Sequence, residues 1–257
     1  MQIIKQEKFN KKILEVFDYE FEVQEEGLYI IEISARARSQ KQIGLNKTDD
    51  DDLRIEIDGR KFSKLDKKEG YFNSPASFSG GKLHNLKKII YFLIYFSKSK
   101  HFIKFIPDKN PFLEEMSIKL TGDKISDINL DINQQAEDGD RRPWTTFILV
   151  NLPLKSLCVE ATTKWRLKDS DDLKLIINNK IQENKLSLFH KNWLWAGSIF
   201  KKLFQNETQS KTIKIDLQLG LHYIEFWADK MPVLYKINLD FGSPTQEKLK
   251  FGLGLVY

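Results

Sequence analysis

Two acidic runs stand immediately ahead of alternating apolar stretches, and they carry the side chains best suited to hold a cation. One run opens the segment DDDDLRIEIDGRKF from residue 49, and the other opens DSDDLKLIINNKIQ from residue 169. Carboxylate oxygens are the hard ligands that Ca²⁺ prefers, and they also accept hydrogen bonds from hydroxyl groups. The sequence therefore predicts a calcium site at the acidic positions that both runs share, Asp51, Asp52, Asp171 and Asp172. The alternative is a solvated loop whose charges keep the strand end from pairing wrongly.

Tryptophan is distributed unevenly, which indicates a second kind of chemistry. All five tryptophans lie in the second part of the chain, at positions 144, 165, 193, 195 and 227. Flat aromatic rings stack on the apolar faces of sugar rings, while nearby polar groups fix the orientation of the ligand. Because Trp193 and Trp195 alternate in the segment NWLWAG, they are expected to share one face of a strand. With Trp165, Asp171 and Asp172 they form the predicted ligand-binding set, and core packing is the alternative for the tryptophans.

These candidate residues belong to a pattern that is written twice. The segment HFIKFIPDKNPFL from residue 101 matches HYIEFWADKMPVL from residue 222, and the two lie about 120 residues apart, as the acidic runs do. Two matches at one spacing predict an internal duplication. Leu53 should then be equivalent to Leu173, and Pro111 to Pro232.

Alternating apolar side chains predict that both copies are built from β-strands. In LRIEIDG, Leu53, Ile55 and Ile57 fall on one face of a strand. The dipeptides Asp-Gly at 58–59 and Asn-Asn at 178–179 favour tight hairpin turns. Several short strands with turn signals in each copy predict an all-β protein of two tandem antiparallel β-sandwich (jelly-roll) domains.

The repeat also predicts where the domains begin and end. The first module is expected to cover residues 1–122 and the second residues 141–242. Between them, residues 123–140 are polar and rich in turn formers, which is typical of a linker. Residues 243–257 are expected to be a C-terminal tail or a further linker.

The longest apolar run, IIYFLIYF at 89–96, predicts an interface. Tyr91, Leu93 and Tyr95 lie on the strand face opposite Phe92 and Ile94, so the strand is apolar on both faces and must be covered on both. The cover is expected to be the other module, a long loop or a partner chain. The run is too short for a membrane-spanning helix, which needs about 20 residues, so no membrane span is expected.

Composition argues against several classes of function. The net charge of +5 comes from 41 basic and 36 acidic residues that are mixed along the chain, without the basic stripe of a nucleic-acid binder. The single cysteine excludes an internal disulfide and a cysteine-rich zinc site. No hydrolase, metalloprotease, P-loop or dinucleotide motif is present, and His101 and His222 fall beside core positions, so the chain is not expected to be an enzyme.

The order of motifs also carries a resemblance. EGLYIIEISARA, DDDLRIEIDG and HFIKFIPDKNPFL, in this order, resemble the jelly-roll carbohydrate-binding modules of the galactose-binding-like class. DDDLRIEIDG further resembles the acidic strand of sugar-binding modules of the anthrax protective-antigen type. As a pair, the copies are similar to the N-terminal regions of cell-wall hydrolase and peptidase proteins of candidate-phylum bacteria. The resemblance implies a sandwich fold and a carbohydrate ligand, and it raises the prospect of a catalytic domain after Tyr257 in the native gene.

Two functions of different classes follow. The first is noncatalytic binding of a polysaccharide or cell-wall glycan, in which the chain directs an attached hydrolase to its substrate. The alternative is a structural or protein-interaction β-sandwich pair without a glycan ligand. The N-terminal segment MQIIKQEKFNKK shows no signal peptide. A glycan-binding chain is expected outside the cell or in the envelope, and otherwise in the cytoplasm, so the compartment stays open, as do the glycan and the oligomeric state.

Overall fold

A computed structural model of the chain describes residues 1–44, 49–66, 69–122, 126–185, 187, 190–204 and 206–242. The predicted tail at 243–257 and the first residues of the predicted linker, 123–125, lie outside this description. β-Strands are the dominant regular structure of the described chain, and the helices are short, which confirms the all-β prediction. Among the described residues, no helix has both the length and the apolar composition needed to cross a membrane.

The described residues of the first half form nine strands and two one-turn helices. The strands are β1 (Gln2–Lys12), β2 (Phe17–Glu22), β3 (Gly27–Arg36), β4 (Asp52–Ile57), β5 (Arg60–Lys61), β6 (Ser77–Ser79), β7 (Lys88–Phe96), β8 (Lys100–Asp108) and β9 (Phe112–Leu120). The helices are α1 (Gln40–Ile43) and α2 (Gly80–Leu83), and a 3₁₀ turn covers Tyr71–Asn73.

In the part of the second half that the structure describes there are seven strands, two of them long. The strands are β10 (Asp127–Gln135), β11 (Arg142–Thr162), β12 (Asp172–Ile177), β13 (Lys180–Ile181), β14 (Trp195–Ala196), β15 (Thr208–Asp229) and β16 (Val233–Asp240). A short helix, α3 (Ile199–Phe204), precedes β15. β11 and β15 have 21 and 22 residues, and each takes the place of two consecutive strands of the first half.

The hairpin turns form where the sequence predicts them. Asp58 and Gly59 have φ angles of 49° and 73°, and Asn178 and Asn179 have φ angles of 48° and 66°. Positive φ is tolerated by glycine, asparagine and aspartate, and two such residues in succession reverse a strand with the twist that a hairpin needs. The turns join β4 to β5 and β12 to β13.

Two sheets contain most of the chain. The larger sheet has 11 strands and follows the order β1-β9-β3-β7-β11-β15-β12-β13, with β10, β14 and β16 paired beside this path. The smaller sheet has five strands in the order β2-β8-β4-β5, with β6 on β4. All neighbours are antiparallel except β7 and β11, which run parallel.

The strand pairings of the two halves correspond. In the first half, the orders β1-β9-β3-β7 and β2-β8-β4-β5 are formed, with β6 on β4. In the second half, β10, β16, the C-terminal part of β11 and the N-terminal part of β15 reproduce the first order. The N-terminal part of β11, the C-terminal part of β15, β12 and β13 reproduce the second, with β14 on β12.

The register within these pairs corresponds as well. The carbonyl of Pro111 accepts a hydrogen bond from Ile13 N, and that of Pro232 accepts one from Ala136 N, each at 2.9 Å. Leu53 and Leu173 face equivalent cross-strand partners, which are Pro107 and Phe78 for the first and Ala228 and Trp195 for the second. This correspondence supports the predicted duplication, although the origin of the two halves from one ancestral module stays a prediction.

The region predicted as a linker contains a strand. β10 occupies Asp127–Gln135 and pairs with β16, so the second half begins about 15 residues earlier than the sequence indicated. The segment reads DINLDINQQ, in which Ile128 and Leu130 are buried and the alternate residues Asp127, Asn129 and Asp131 are exposed. A strand with one solvent-exposed face is polar at about half of its positions, so its composition resembles that of a loop.

The halves are joined edge to edge in one sheet. Residues 145–150 of β11 run parallel to residues 89–94 of β7. β3 and β7 therefore lie between two apolar cores, and their alternate side chains enter one core or the other. A parallel pair covered on both faces explains why β7 is apolar at nearly every position.

The predicted interface residues Tyr91, Leu93 and Tyr95 are buried in the core that belongs mainly to the second half. The ring of Tyr91 stacks on Phe147 with 4.7 Å between centroids and 7° between planes. In return, Tyr223 of the second half packs in the core of the first half, together with residues of β11. The second half of the same chain therefore covers the predicted face.

Candidate ligand-binding cleft

A cleft of about 1140 Å³ opens in the second half of the molecule. It lies between the loop that joins β11 to β12 and the segment that leads from β14 through α3 into β15. Its walls are residues 165–170, Asp172, residues 196–201 and residues 209–211, with Asn184, Ser187 and His190 at one side. The volume lies slightly above the range of about 300–1,000 Å³ that is usual for small-molecule sites, and the cleft is more polar than most of them.

Asp171 holds one wall of the cleft together. Its side chain is 1% exposed and accepts hydrogen bonds from Arg166 Nε at 3.0 Å, Lys164 N at 3.3 Å and Met231 N at 3.2 Å. A buried carboxylate is stable when both oxygens receive donors, and here the donors come from the loop before β12 and from the end of β15. Asp171 is therefore a structural residue that fixes the shape of this loop.

Asp172, the next residue, faces the cleft. Its Oδ1 accepts a hydrogen bond from Gly197 N at 3.0 Å, and its Oδ2 lies 3.7 Å from His190 Nδ1. Burial raises the pKa of Asp172 to about 6, and the hydrogen bond from Gly197 opposes this rise in part. The site thus offers a carboxyl group that gains a proton in mildly acidic solution.

Gly197 is required by the close approach of three segments at this point. A Cβ atom there would lie 2.5 Å from the carbonyl oxygen of Lys164 and 3.0 Å from that of Asp171. The Gly197 N–H also donates to the Asp171 carbonyl at 2.9 Å. Because any side chain would push β14 away from this loop, the floor of the cleft depends on glycine.

Basic side chains give the cleft a positive balance. Arg166, Lys168, Lys201 and Lys211 line it, against the two acids Asp169 and Asp172. Lys201 Nζ donates to the Ala196 carbonyl at 2.8 Å, and Lys211 Nζ donates to the Leu194 carbonyl. Burial, with a smaller contribution from Lys201, lowers the pKa of Lys211 to about 8. A ligand with negative groups would therefore be attracted to the cleft.

Trp165 lines the cleft, and its predicted role as a ligand-binding residue stays a prediction. The side chain is half-buried, and its backbone N–H donates to Glu207 Oε1 at 3.0 Å. Lys202 Nζ lies 5.1 Å from the ring centroid, so one face of the indole is already near a cation.

Trp195 does not reach the cleft. It is fully buried, it lies across from Leu173, and its indole N–H donates to the Gln209 carbonyl at 3.3 Å. A ring with no exposed surface cannot stack on a sugar, so the prediction of Trp195 as a ligand-binding residue is corrected. Core packing, the alternative weighed for the tryptophans, accounts for this ring.

Trp193 is half-buried and lies outside the core that contains Trp195. β14 contains two residues, so the alternation that would align the two rings does not extend to position 193. The Trp193 ring instead lies 4.6 Å from Lys174 Nζ, which also lies 5.8 Å from the ring of Trp227. The structure therefore separates Trp193 from the residues that line the cleft.

The aspartates predicted to bind calcium already have partners within the protein. Asp51 accepts hydrogen bonds from Arg38 Nε at 2.7 Å and Asn110 N at 3.0 Å, much as Asp171 does in the second half. Asp52 Oδ1 accepts one from Gly80 N at 2.9 Å, as Asp172 does from Gly197. These bonds give the four aspartates a structural role in both halves, and calcium binding there stays a prediction.

Three other carboxylates lie close enough to share one ion. Oxygens of Asp140, Asp169 and Asp229 lie within 4.8 Å of one another. Lys230 Nζ stands 2.6 Å from Asp140 Oδ1 and 3.1 Å from Asp169 Oδ2, and Arg141 Nε lies 3.4 Å from Asp229 Oδ2. The ammonium and guanidinium groups already offset two of the three negative charges of this cluster.

The matching histidines serve the hairpin turns. His101 Nδ1 lies 2.7 Å from Asp58 Oδ2, and His222 Nδ1 lies 3.0 Å from the side-chain amide of Asn178. Each histidine therefore bonds to the residue that opens the turn, which agrees with the structural role expected from the sequence.

Several cleft residues carried no signal in the sequence. His190, Ser198, Lys201, Gln209 and Lys211 come from three segments, and their convergence depends on the pairing of β12 with β14 and β15. One local difference could have drawn attention to them. The segment between the equivalent glycines and the next long strand is longer in the second half, where it reads GSIFKKLFQNE, than in the first half, where it reads GGKLHNLK.

Comparison with known proteins adds little to this geometry. No protein-family model matches the chain, and no curated protein matches it either. Among solved structures, the chain is similar to the insecticidal delta-endotoxin Cry8Ea1 from Bacillus thuringiensis, with 8% identity and a TM-score of 0.28. The match covers 88% of this chain and 53% of the toxin chain, so the chain spans about half the length of that protein. A TM-score this low carries no argument about fold or function.

Proposed function

We propose that the second half of the chain binds a carbohydrate in the cleft without catalysing a reaction. The observation that carries the proposal is the meeting, in one cleft of about 1140 Å³, of the Trp165 ring with the carboxyl of Asp172 and several hydroxyl and amide side chains. Sugars need both kinds of contact, because ring faces stack on aromatic side chains while hydroxyl groups require hydrogen-bond partners.

The charges of the cleft favour a polysaccharide that carries acidic groups. Four basic side chains and two acidic ones line the walls, and Lys168 is exposed. A uronic acid or a sulfated sugar would find cations on both sides of the Trp165 ring, since Arg166 and Lys168 follow it in the loop and Lys201 lies on α3. Polysaccharides and cell-wall glycans of this type are the proposed partners.

The proposal also includes the finer resemblance noted in the sequence. It treats the chain as a pair of jelly-roll modules of the galactose-binding-like class that would direct an attached hydrolase to its substrate. Calcium is not needed, because Asp51 and Asp171 already accept donors through both carboxylate oxygens. The binding site is placed in the second half alone.

The proposal is tested by electrophoresis of the full chain through gels that contain polygalacturonate, an acidic polysaccharide, or hydroxyethylcellulose, a neutral one. We expect retardation by polygalacturonate. Trp165→Ala should weaken it roughly 5- to 150-fold, since a lost stacking contact costs about 1–3 kcal/mol by analogy with base stacking on aromatic rings. Trp227→Ala is the matched control, because Trp227 is half-buried and lies outside the cleft.

Two outcomes would contradict the proposal. One is the absence of retardation in gels of both polysaccharides. The other is equal retardation of the wild type and the Trp165→Ala variant, which would place any bound polysaccharide elsewhere. Retardation by the neutral polymer alone would retain carbohydrate binding and overturn the preference for acidic sugars.

The alternative function, a structural or protein-interaction pair, depended on the apolar face of β7. Tyr91, Leu93 and Tyr95 are buried within the chain, so this face is not available to a partner. That observation favours the carbohydrate proposal over the alternative.

A further inference from the structure

A group of apolar side chains stands exposed beside the cleft. On α3, Phe204 is 72% exposed and Leu203 63%, and Leu167 on the neighbouring loop is 86% exposed. None of the six residues of α3 is buried. The rings of Phe200 and Phe204 lie 5.3 Å apart, so they form one contiguous apolar surface. A surface helix normally turns its apolar residues toward the core, and an exposed group of this kind marks a contact surface.

The same two segments carry basic side chains and no acidic ones. Residues 164–168 read KWRLK and residues 199–204 read IFKKLF. The segments are in contact, because Lys202 Nζ lies 5.1 Å from the ring of Trp165 and both segments line the cleft. The nearest acid of the loop, Asp169, is paired with Lys230 at 3.1 Å. We call residues 164–168 and 199–204 the basic-apolar tip.

The equivalent part of the first half shows that exposure is not a requirement of the fold. α2 occupies the place of α3, and its Leu83 is fully buried in the core that belongs mainly to the first half. In the second half, the apolar residues of α3 have no such cover among the described residues. Their exposure is therefore a property of this tip.

We propose that the basic-apolar tip docks on the surface of a bilayer that contains anionic lipids. Leucine and phenylalanine side chains enter the boundary between headgroups and acyl chains, where apolar surface leaves water. Lys164, Lys168 and Lys202, which are exposed around them, meet the negatively charged headgroups. A patch with exposed apolar side chains and basic but no acidic side chains fits the surface of such a bilayer, which has negatively charged headgroups outside and apolar acyl chains beneath them. The inference does not depend on carbohydrate binding.

Vesicle sedimentation with the full chain tests the proposal. We expect binding to vesicles of phosphatidylcholine mixed with phosphatidylglycerol, and weaker binding when sodium chloride is raised, because salt screens the charge attraction. Vesicles of phosphatidylcholine alone should bind at least about tenfold more weakly, because they offer no net negative charge to the lysines. Absence of binding to the mixed vesicles would overturn the proposal.

Variants outside the cleft separate docking from carbohydrate binding. Leu203→Ser with Phe204→Ser should weaken binding to mixed vesicles about tenfold or more, because two apolar side chains no longer leave water. The matched control changes Phe102 and Leu219, which are 44% and 42% exposed, to serine and should bind as the wild type does. Since Leu203 and Phe204 do not line the cleft, retardation by polygalacturonate should be unchanged.

A charge variant tests the contribution of the exposed lysines to vesicle binding. Lys164→Glu with Lys202→Glu should bind the mixed vesicles at least about tenfold more weakly. Lys98→Glu with Lys236→Glu makes the same charge change at exposed positions elsewhere and should weaken binding much less. Unfolding curves of every variant should match the wild type, because all of the changed side chains are exposed.

Three results would overturn the proposal. The first is equal vesicle binding by the wild type and the Leu203→Ser, Phe204→Ser variant. The second is an equal loss in the Phe102 and Leu219 control. The third is a dimer in sedimentation velocity that the Leu203→Ser, Phe204→Ser change converts to a monomer, without any vesicle binding, which would identify the tip as a contact between two copies of the chain. Each of these leaves the carbohydrate proposal to be decided by the Trp165→Ala measurement.

Discussion

The two halves of the molecule pair their strands in the same order, but the loops around the shared aspartates have different surroundings. In the first half, α2 packs on β11, and the Tyr223 hydroxyl donates to the Ser63 carbonyl at 2.6 Å. In the second half, the equivalent loops border the open cleft, and α3 buries none of its residues. One loop region is an internal contact, and the other faces solvent.

This difference separates the residues that build the fold from those that can meet a ligand. Asp51 and Asp171 share the same kind of hydrogen bonds, and Gly80 and Gly197 both donate to the neighbouring aspartates. Residues that repeat in both halves therefore hold loops in place. The side chains of the cleft, such as Lys201, belong to segments in which the halves differ. In this chain, a motif that repeats in both halves indicates a role in the fold, and a segment that differs between the halves indicates the candidate site.

The largest effect is expected from the buried rings that face the shared leucines. Trp195 and Phe78 are fully buried and lie across from Leu173 and Leu53. Trp195→Ala and Phe78→Ala should each lower the free energy of unfolding by about 3–5 kcal/mol, because each leaves a large cavity in a packed core. Urea unfolding followed by circular dichroism measures both.

Similar losses in the two variants would support equivalent roles for the two rings. Trp227→Ala serves as the control, because Trp227 is half-buried on the outer face, and it should lose less stability. If Trp195→Ala kept the stability of the wild type and lost retention by polysaccharide, Trp195 would be a ligand-binding residue after all.

A second pair of variants removes the buried carboxylates of Asp51 and Asp171, which hold the loops before β4 and β12 in place. Asp51→Ala and Asp171→Ala should each cost about 2–4 kcal/mol, because partly buried backbone N–H groups and an arginine lose their acceptor. Asp66→Ala, at an exposed position, is the control and should cost little. The unfolding midpoint gives the measurement. A midpoint that rises with added calcium in the wild type and not in the Asp51 or Asp171 variant would instead support the calcium prediction.

The sequence predicted those features that depend on neighbours along the chain. The alternation in LRIEI and the residues at the turns 58–59 and 178–179 were sufficient for β4, β12 and their hairpins. It failed where a strand is short or half-polar. β10 was hidden by its exposed aspartates and asparagines, and β14 ends the alternation that would have aligned Trp193 with Trp195.

Features that depend on distant contacts could not be predicted. The parallel pairing of β7 with β11 joins residues about 55 positions apart, and no local pattern specifies it. The apolar face of β7 showed that a cover was required, but it did not identify the cover. Likewise, Lys201 and Lys211 reach the cleft because they bond to carbonyls near β14, and this depends on tertiary structure.

The smallest effect on stability is expected from Asp52 and Asp172, whose carboxyl groups occupy equivalent positions in the two halves. Burial raises the pKa of each from 3.8 to about 6, so the folded state binds their protons more tightly than the unfolded chain does. The stability contributed by this proton binding is fully present below pH 3.8 and is lost as the pH rises through 6. Lowering the pH from about 7 to about 5 should therefore raise the free energy of unfolding by about 1 kcal/mol for each carboxyl.

Asparagine variants assign this pH dependence to each half. Asp52→Asn and Asp172→Asn keep an oxygen that can accept the hydrogen bond from Gly80 or Gly197, and they remove the titration. Each variant should lose about half of the increase in the free energy of unfolding that the two carboxyl groups give between about pH 7 and pH 5. The loss is measured as the difference from the wild type, so that the contributions of other titrating groups cancel. Saturating polygalacturonate should change the profile of Asp52→Asn, which retains Asp172 in the cleft, more than that of Asp172→Asn. Equal changes in both pH profiles would mean that the ligand affects both halves alike, which would contradict a binding site in the second half alone.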